Sequence, residues 1–326
     1  MNPAVSLLSL LFPALLSACA QAASVGDRVP EPPPAPRAVA AATVDSRAVD
    51  VGPGELDGVV LLGAHVLTME HPAFGGFSAI EVAGGRLYAV TDNGWWMEGA
   101  IVERPGGIVP MKVLFTPLRD RDGATYDKSG GDAEGLALTL GSDQPAVSFE
   151  LDHRIMRRAS DGRMGGLITH PAFEDLRSNG GLEALAALPD GRLLVIAEDA
   201  RAGRHPMFLI SPDGQLLRGG LPEVASFSVT GSDLGPDGKL YVLLRDYTPL
   251  IGVTIRIDRY NLTAAGWPDD TSRQQIARFA SRTGIDNMEG ISAWRDQKGR
   301  LRLAVISDDN FSVVQRTLLM DLLVLE

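Results

Sequence analysis

Acidic residues recur along this chain at intervals of about fifty residues, each in the same local setting. The five marker positions are Ser78, Glu134, Glu183, Asp233 and Glu289, spaced 56, 49, 50 and 56 residues apart. Each lies in a short stretch of small and apolar residues. A second polar residue follows within twenty positions: Asp92, Glu150, Glu198, Arg245 and Asp308, with Asp199 and Asp309 beside two of them. Carboxylates gathered on one face would repel, at roughly 4 kcal/mol for each pair 4 Å apart at an effective dielectric near 20. A bound cation relieves that cost. Ca²⁺ suits the set best, because it takes six to eight oxygen ligands. The expected ligands are Asp92, Glu134, Glu150, Glu183, Glu198, Asp233, Glu289, Asp308 and Asp309. The competing reading is that these acids cap strand ends by accepting backbone N–H bonds.

Other chemistry is sparse. There is no Gly-x-Ser-x-Gly elbow, P-loop, His-Glu-x-x-His or Cys-x-x-Cys motif, and the five histidines are scattered. Glu289 and Asp308 are the leading acid–base candidates. His205 follows Glu198-Asp199 and either joins them in acid–base work or sits in a surface loop. Arg245 interrupts the acidic series; it either neutralises Asp233 or offers a planar fork to an anionic substrate. Trp95 and Trp96 follow Thr91-Asp92-Asn93-Gly94 directly and form either a binding wall at the same face or a lid on the core.

The elements that must position these residues read as β. From about residue 56, short apolar runs such as 86–91, 192–197, 239–244 and 300–306 alternate with turns, and no long 3.6-residue pattern intrudes. Gly84-Gly85, Pro189-Asp190-Gly191, Pro236-Asp237-Gly238 and Lys298-Gly299 precede these four runs. Proline sets the first turn position and glycine takes the positive φ. A marker strand, a glycine turn and an apolar strand, repeated at this period, predict propeller blades of about four strands. In a propeller, first strands start at one end and second strands return to it, so marker residues and second-strand ends share a face. Five markers predict five blades, or six if one has diverged. Segments 58–62, 64–68 and 317–325 are strand-like, predicting a blade shared between the two ends of the chain.

Formal net charge is −11, with 41 acidic against 30 basic residues. That opposes non-specific nucleic-acid binding, which draws its affinity from neutralised phosphates. Val5 to Leu16 is a mostly apolar run, too short to span a bilayer comfortably and of signal-peptide length. Leu16-Ser17-Ala18-Cys19 matches a lipobox, with lipidation at Cys19, the single cysteine. A plain signal peptide cut near Ala20-Gln21-Ala22 is the alternative. Val29-Pro30-Glu31-Pro32-Pro33-Pro34-Ala35-Pro36 lies in a Pro/Ala-rich stretch suited to an extended tether. The expected organisation is therefore a signal peptide with lipobox over 1–19, a linker over 20–55 and a propeller over 56–326. The expected location is the periplasm or a lipid anchorage in the outer membrane. Membrane contact is expected only through the anchor, and the protein is expected to be a monomer.

Asp286-Asn287-Met288-Glu289-Gly290, Ile306-Ser307-Asp308-Asp309-Asn310-Phe311 and Gln315-Arg316-Thr317-Leu318-Leu319 resemble the phytase-like family described as having esterase-like activity of phytase. Further likeness lies at Gly76 to Gly94, Asp132 to Ala137, Leu182 to Asp199 and Leu240 to Arg256, so it covers roughly residues 56–326. The resemblance implies an exported bacterial β-propeller. β-Propeller phytases use several Ca²⁺ ions at one end of the channel to bind phosphate and activate water. By that likeness Glu134, Glu183, Glu289, Asp308, Asp309 and Arg245 would serve a Ca²⁺-assisted hydrolase of phosphate or carboxylic esters. The alternative is a non-enzymatic cell-envelope binding propeller that uses the same face for a ligand or protein.

Overall fold

Strands such as Leu193–Ile196 carry apolar side chains on both faces, so each sheet must be covered on two sides. A ring of sheets packed face to face meets that demand. The computed structural model describes residues 42–139, 144–249 and 252–325, all within one unit, Ala35–Glu326. The chain opens with β1 (Asp45–Val49), β2 (Glu55–Leu56) and β3 (Val59–Thr68). Blade 1 follows as β4 (Phe77–Ala83), β5 (Arg86–Thr91), β6 (Trp95–Arg104) and β7 (Gly107–Pro117). Blade 2 is β8 (Ala133–Ala137), β9 (Ala146–Phe149), β10 (Arg154–Arg158) and β11 (Met164–Ile168). Blade 3 is β12 (Ala184–Ala187), β13 (Leu193–Ile196), β14 (Arg204–Ile210) and β15 (Leu216–Pro222). Blade 4 is β16 (Ser228–Leu234), β17 (Lys239–Thr248), β18 (Gly252–Asn261) and β19 (Gln274–Ala280), with β2 added at its outer edge. Blade 5 begins with β20 (Asn287–Arg295), β21 (Leu301–Asp308) and β22 (Thr317–Val324), and β3 and β1 complete it. The result is a five-bladed β-propeller in which every strand pairing is antiparallel.

Five apolar clusters fill the five spaces between adjacent blades. Along β17, Leu240, Val242 and Leu244 pack toward blade 3, whereas Tyr241 and Leu243 pack toward blade 5. The alternation of a strand survives, but both faces are apolar because both are covered. At the turns, Gly191 (φ 86°) and Gly238 (φ 77°) take the left-handed conformation expected after Pro-Asp.

The shared blade is present, and the two expected segments 58–62 and 64–68 form one continuous strand, β3. β3 pairs with β22 along its length, with a register shift between Asp321 and Leu322. Opposite the shift stands Gly63, where a Cβ would meet the Cα of Gly106 at 2.4 Å. The chain also joins the propeller earlier than residue 56: Ala42 bridges to Val113, and β1 pairs with β3. β1 gave no apolar signal because Asp45 to Ala48 are exposed on this outer strand. The signal and lipobox residues, Cys19 included, lie outside the described residues. Among the described residues no helix is long and apolar enough to cross a membrane.

The closure is fixed by a buried ion pair. Arg302 on β21 donates through Nε to Asp321 Oδ1 at 3.0 Å and through Nη2 to Oδ2, and it donates to Glu103 of blade 1 at 2.8 Å. Asp321 Oδ2 also accepts from the Ile108 backbone N–H at 2.9 Å, joining blades 5 and 1. Removing one member leaves a buried charge without its partner. Asp321→Ala is therefore expected to cost about 3–5 kcal/mol in urea unfolding; a change below about 1 kcal/mol would show that the pair does not hold the ring closed.

Candidate functional site

The innermost strands β4, β8, β12, β16 and β20 all begin at one end of the ring, where the second strand of each blade ends. Backbone N–H groups of Asp92, Glu150 and Glu198 donate to the carbonyls of Gly76, Asp132 and Gly181. Arg245 stands opposite Ser228, and Asp308 opposite Asn287. Two residues beyond each of these inner-strand positions comes Ser78, Glu134, Glu183 or Glu289, each lining the mouth, and in blade 4 Thr230, which is buried and donates its hydroxyl to the Met288 carbonyl. In four blades a register shift marks this point: Ser78, Glu134, Thr230 and Glu289 lie within the shifts. Glu183 holds the corresponding place just before β12.

The next residue in each blade is small: Ala79, Gly135, Ala184, Gly231 and Gly290. Neighbouring inner strands leave no space for more. A Cβ on Gly231 would sit 2.6 Å from the Glu289 carbonyl oxygen, and one on Gly290 would sit 2.9 Å from the Ile80 nitrogen. Bulges re-aim side chains, and these aim toward the axis.

The result is a mouth of about 820 Å³ lined by Asp92, Glu134, Glu150, Glu183, Glu198, Arg245, Glu289 and Asp308, eight of the residues expected from the sequence. It also takes in Lys128, Asp132 and Asn287, which sequence reasoning did not select. Lys128 lies in the connection between β7 and β8, where no periodicity points to it. Asp132 and Asn287 each stand two positions before a mouth glutamate, and that repeat was readable.

Asp233 is not at the mouth. The true counterpart in blade 4 is Thr230, three residues earlier, recognisable from Gly231 after it where Asp233 has Leu234. A three-residue slip moves a side chain about 10 Å along a strand. Asp233 instead meets Glu81 farther down the channel. Its Oδ2 accepts from the Ala293 backbone N–H at 2.7 Å, and the Ser292 hydroxyl lies 3.3 Å from that oxygen and 3.1 Å from Glu81 Oε2.

The other exceptions have local causes. Asp309 ties loops together, accepting from the backbone N–H groups of Gly76 and Phe311 and from the Thr317 hydroxyl. Asp199 pairs with Arg177 at 3.0 Å. His205 lies on β14, two strands out from the axis, fully buried, with its pKa pushed down by burial. Trp95 and Trp96 sit on the third strand of blade 1 for the same reason. Trp96 is buried beside Tyr88, and Trp95 is edge-on to His71.

Two cations flank the acids. Lys128 Nζ contacts Asp92 at 2.6 Å and Asp132 at 3.2 Å. Burial opposes its charge, but the two carboxylates outweigh it and raise its pKa. Arg245 neutralises Glu198 and Glu289 rather than Asp233. Its Nη2 donates to Glu198 at 3.1 Å, and its Nη1 donates to Glu289 and to Asn287 Oδ1. Glu150 accepts from the backbone N–H groups of Gly180 and Gly181, the capping role weighed for these acids.

Glu134 and Glu183 accept no hydrogen bond among the described residues. Burial pushes both carboxyls well above their ordinary pKa, and neighbouring acids push further: Asp132 and Glu150 on Glu134, Glu134 and Glu198 on Glu183. Burial raises Glu289 to about 8 against the pull of Arg245, and Asp308 to about 7. Asp132, Glu134 and Glu150 offer carboxylate oxygens within 4.8 Å of one another and could hold a metal ion. With all three ionised, each pair would cost roughly 3 kcal/mol at an effective dielectric of 20. Oxygen donors without thiolate or imidazole fit a hard cation such as Ca²⁺.

Fold and mouth together define a β-propeller with an acidic, cation-ready channel entrance. The chain belongs to the phytase-like family, described as esterase-like activity of phytase, whose model matches residues 72–311. No curated protein matches it. Among solved structures it is similar to the α-L-arabinofuranosidase PaAbf62A from Podospora anserina, at 10% identity over 86% of this chain and 96% of that one, with TM-score 0.46. The GH43 protein BlXynB from Bacillus licheniformis is similar at 11% identity over 79% of this chain and 54% of that one, with TM-score 0.47. A luciferin-regenerating enzyme is similar at 15% identity over 77% of each chain, with TM-score 0.40. Likeness at this level carries no argument about what this chain does.

The channel acids Glu81 and Asp233 make stability depend on pH. Burial raises Asp233 from 3.8 to about 7, and burial together with Asp233 holds Glu81 well above its ordinary value. The folded protein therefore keeps a proton that the unfolded chain has already lost. The stability this confers is complete at pH 4 and below, and is lost as pH rises through about 7. Each tenfold change in proton affinity is worth about 1.4 kcal/mol, and a domain this size loses about 2 °C per kcal/mol. In chelator, Tm is expected to fall by roughly 5–8 °C more between pH 5 and 8 in the wild type than in Asp233→Asn. Parallel profiles for the two proteins would contradict this.

Proposed function

We propose that the protein is a Ca²⁺-assisted hydrolase of phosphate or carboxylic esters acting at the acidic mouth. The observation that carries this reading is the group Asp132, Glu134 and Glu150, with Glu183 beside it. These carboxylates lie close enough together for one ion to be shared among them, and the Glu134 and Glu183 carboxyls accept no hydrogen bond among the described residues. Family membership supports the same class of chemistry. Asp132, Glu134, Glu150 and Glu183 would hold the ion. Bound there, Ca²⁺ would supply the positive charge that draws in and polarises an ester oxygen.

The chain's own residues supply the rest. Glu289 and Asp308, with pKa values of about 8 and 7, can each hold or release a proton near neutral pH. Glu289 is fixed by Arg245 and by Asn287 Nδ2 at 2.8 Å, so its carboxyl is oriented before substrate arrives. Arg245 has N–H groups beyond those given to Glu198, Glu289 and Asn287, and these can meet developing negative charge.

A second reading, a binding propeller without catalysis, draws on one observation: Arg245 is already engaged by two carboxylates and an amide. Rates on nitrophenyl phosphate and nitrophenyl acetate, with and without Ca²⁺, separate the two. Hydrolysis should require Ca²⁺ and fall by about 100-fold or more in Glu134→Gln and Glu289→Gln. A Ca²⁺-dependent rise in Tm without turnover of either ester would favour the binding propeller. Neither effect would overturn both readings.

Export and a lipid anchor at Cys19 belong to the same proposal and rest on the signal-like run and the lipobox. Labelled palmitate should enter the wild type and not Cys19→Ser; label in neither would leave a plain signal peptide.

A further inference from the structure

Three arginines are buried among the described residues, and two of them have acceptors. Arg302 is held by Asp321 and Glu103, and Arg154 donates to the carbonyls of Gly130 and Asp152. The third, Arg158 on β10, is only 7% exposed. Its Nε has no hydrogen-bond partner, and no carboxylate or carbonyl among the described residues accepts from its side chain. Its guanidinium carbon lies 4.4 Å from the centroid of the Trp96 ring, a contact that uses none of its N–H donors. A buried guanidinium normally meets an acceptor, because its N–H groups have given up water.

Arg158 faces a cavity of about 530 Å³ between blades 1 and 2, with Tyr88, Trp96, Glu98 and Thr116 on its walls. No residue of this cavity lines the acidic mouth. Ala83, which ends β4, and Gly84, which begins the turn after it, both line it, placing it toward the opposite end of the inner strand. Glu98 does not serve as the missing acceptor. One of its oxygens accepts from Arg86 at 3.0 Å and the other from the Trp96 indole N–H at 3.3 Å. Glu98 and Asp161 favour the Arg158 charge from farther away, while burial works against it.

We propose that this cleft binds a small monocarboxylate with an apolar, aromatic body. The carboxylate takes the forked donors of Arg158, and the body lies against the Tyr88 ring and Leu114. A single buried cation with two carboxylates nearby suits one negative charge and disfavours a phosphate dianion. Sites of this volume bury most of a small organic ligand. The inference stands apart from the hydrolase reading, because it uses none of the mouth residues.

The test is calorimetric titration of the full-length protein in chelator, with indole-3-acetate, indole-3-acetamide and phenyl phosphate as probes. The acid should bind at least about tenfold tighter than its neutral amide, the factor expected when a charge-assisted hydrogen bond is lost. Phenyl phosphate should bind more weakly than the acid. Arg158→Gln should erase the difference between acid and amide, and Arg158→Lys should keep part of it. The Trp96 indole N–H resonance of the wild type should shift with the acid, a readout independent of whether the variants fold. Equal binding of acid and amide, no heat with either, or tighter binding of phenyl phosphate would each overturn the proposal.

Discussion

The structure depends on how closely five innermost strands approach around one axis. At that distance the residue following each re-aimed side chain can carry no more than a methyl group. Gly135, Gly231 and Gly290 would drive a Cβ into a neighbouring strand, and Ala79 and Ala184 occupy the same place. The backbone shift that accompanies this fit turns Glu134 and Glu289 toward the mouth. Packing of small residues and display of acidic ones are therefore one feature of the chain. The apolar clusters between the blades then hold the ring at this diameter.

Charge is distributed unevenly around that ring. Lys128 serves Asp92 and Asp132 on one side, and Arg245 serves Glu198 and Glu289 on the other. Between them the Glu134 and Glu183 carboxyls make no ion-pair contact and accept no hydrogen bond among the described residues, and burial disfavours their ionised forms. Farther down the channel the same problem is met differently: Glu81 and Asp233 share the Ser292 hydroxyl and backbone donors, and hold a proton into the neutral range. One set of acids is open to solvent and large enough for an ion. The other is buried, and protonation relieves it.

Much of this was legible along the chain. Apolar runs after Pro-Asp-Gly turns, repeated at a period near fifty, are enough to specify blades, because a strand apolar on both faces has few stable environments. The closing blade could be read from apolar segments at both ends. Blade 4 shows where such reading slips. Thr230 and Asp233 are both polar and three residues apart, and only the small residue that follows, Gly231 rather than Leu234, identifies the position that packs against the neighbouring strand.

Sequence alone determined the architecture and the end of the channel at which most of the acids gather, since hairpin geometry returns every second strand to the level where the first began. It could not determine which side chains near that level reach the axis. His205, Trp95 and Trp96 lie close to mouth acids along the chain, yet on third strands, so sheet width carries them away from the channel. Lys128, by contrast, comes from a long connection without periodic pattern and folds back over Asp92 and Asp132. Those outcomes are set by distances across a sheet and by the path of a loop, and only the tertiary packing fixes either.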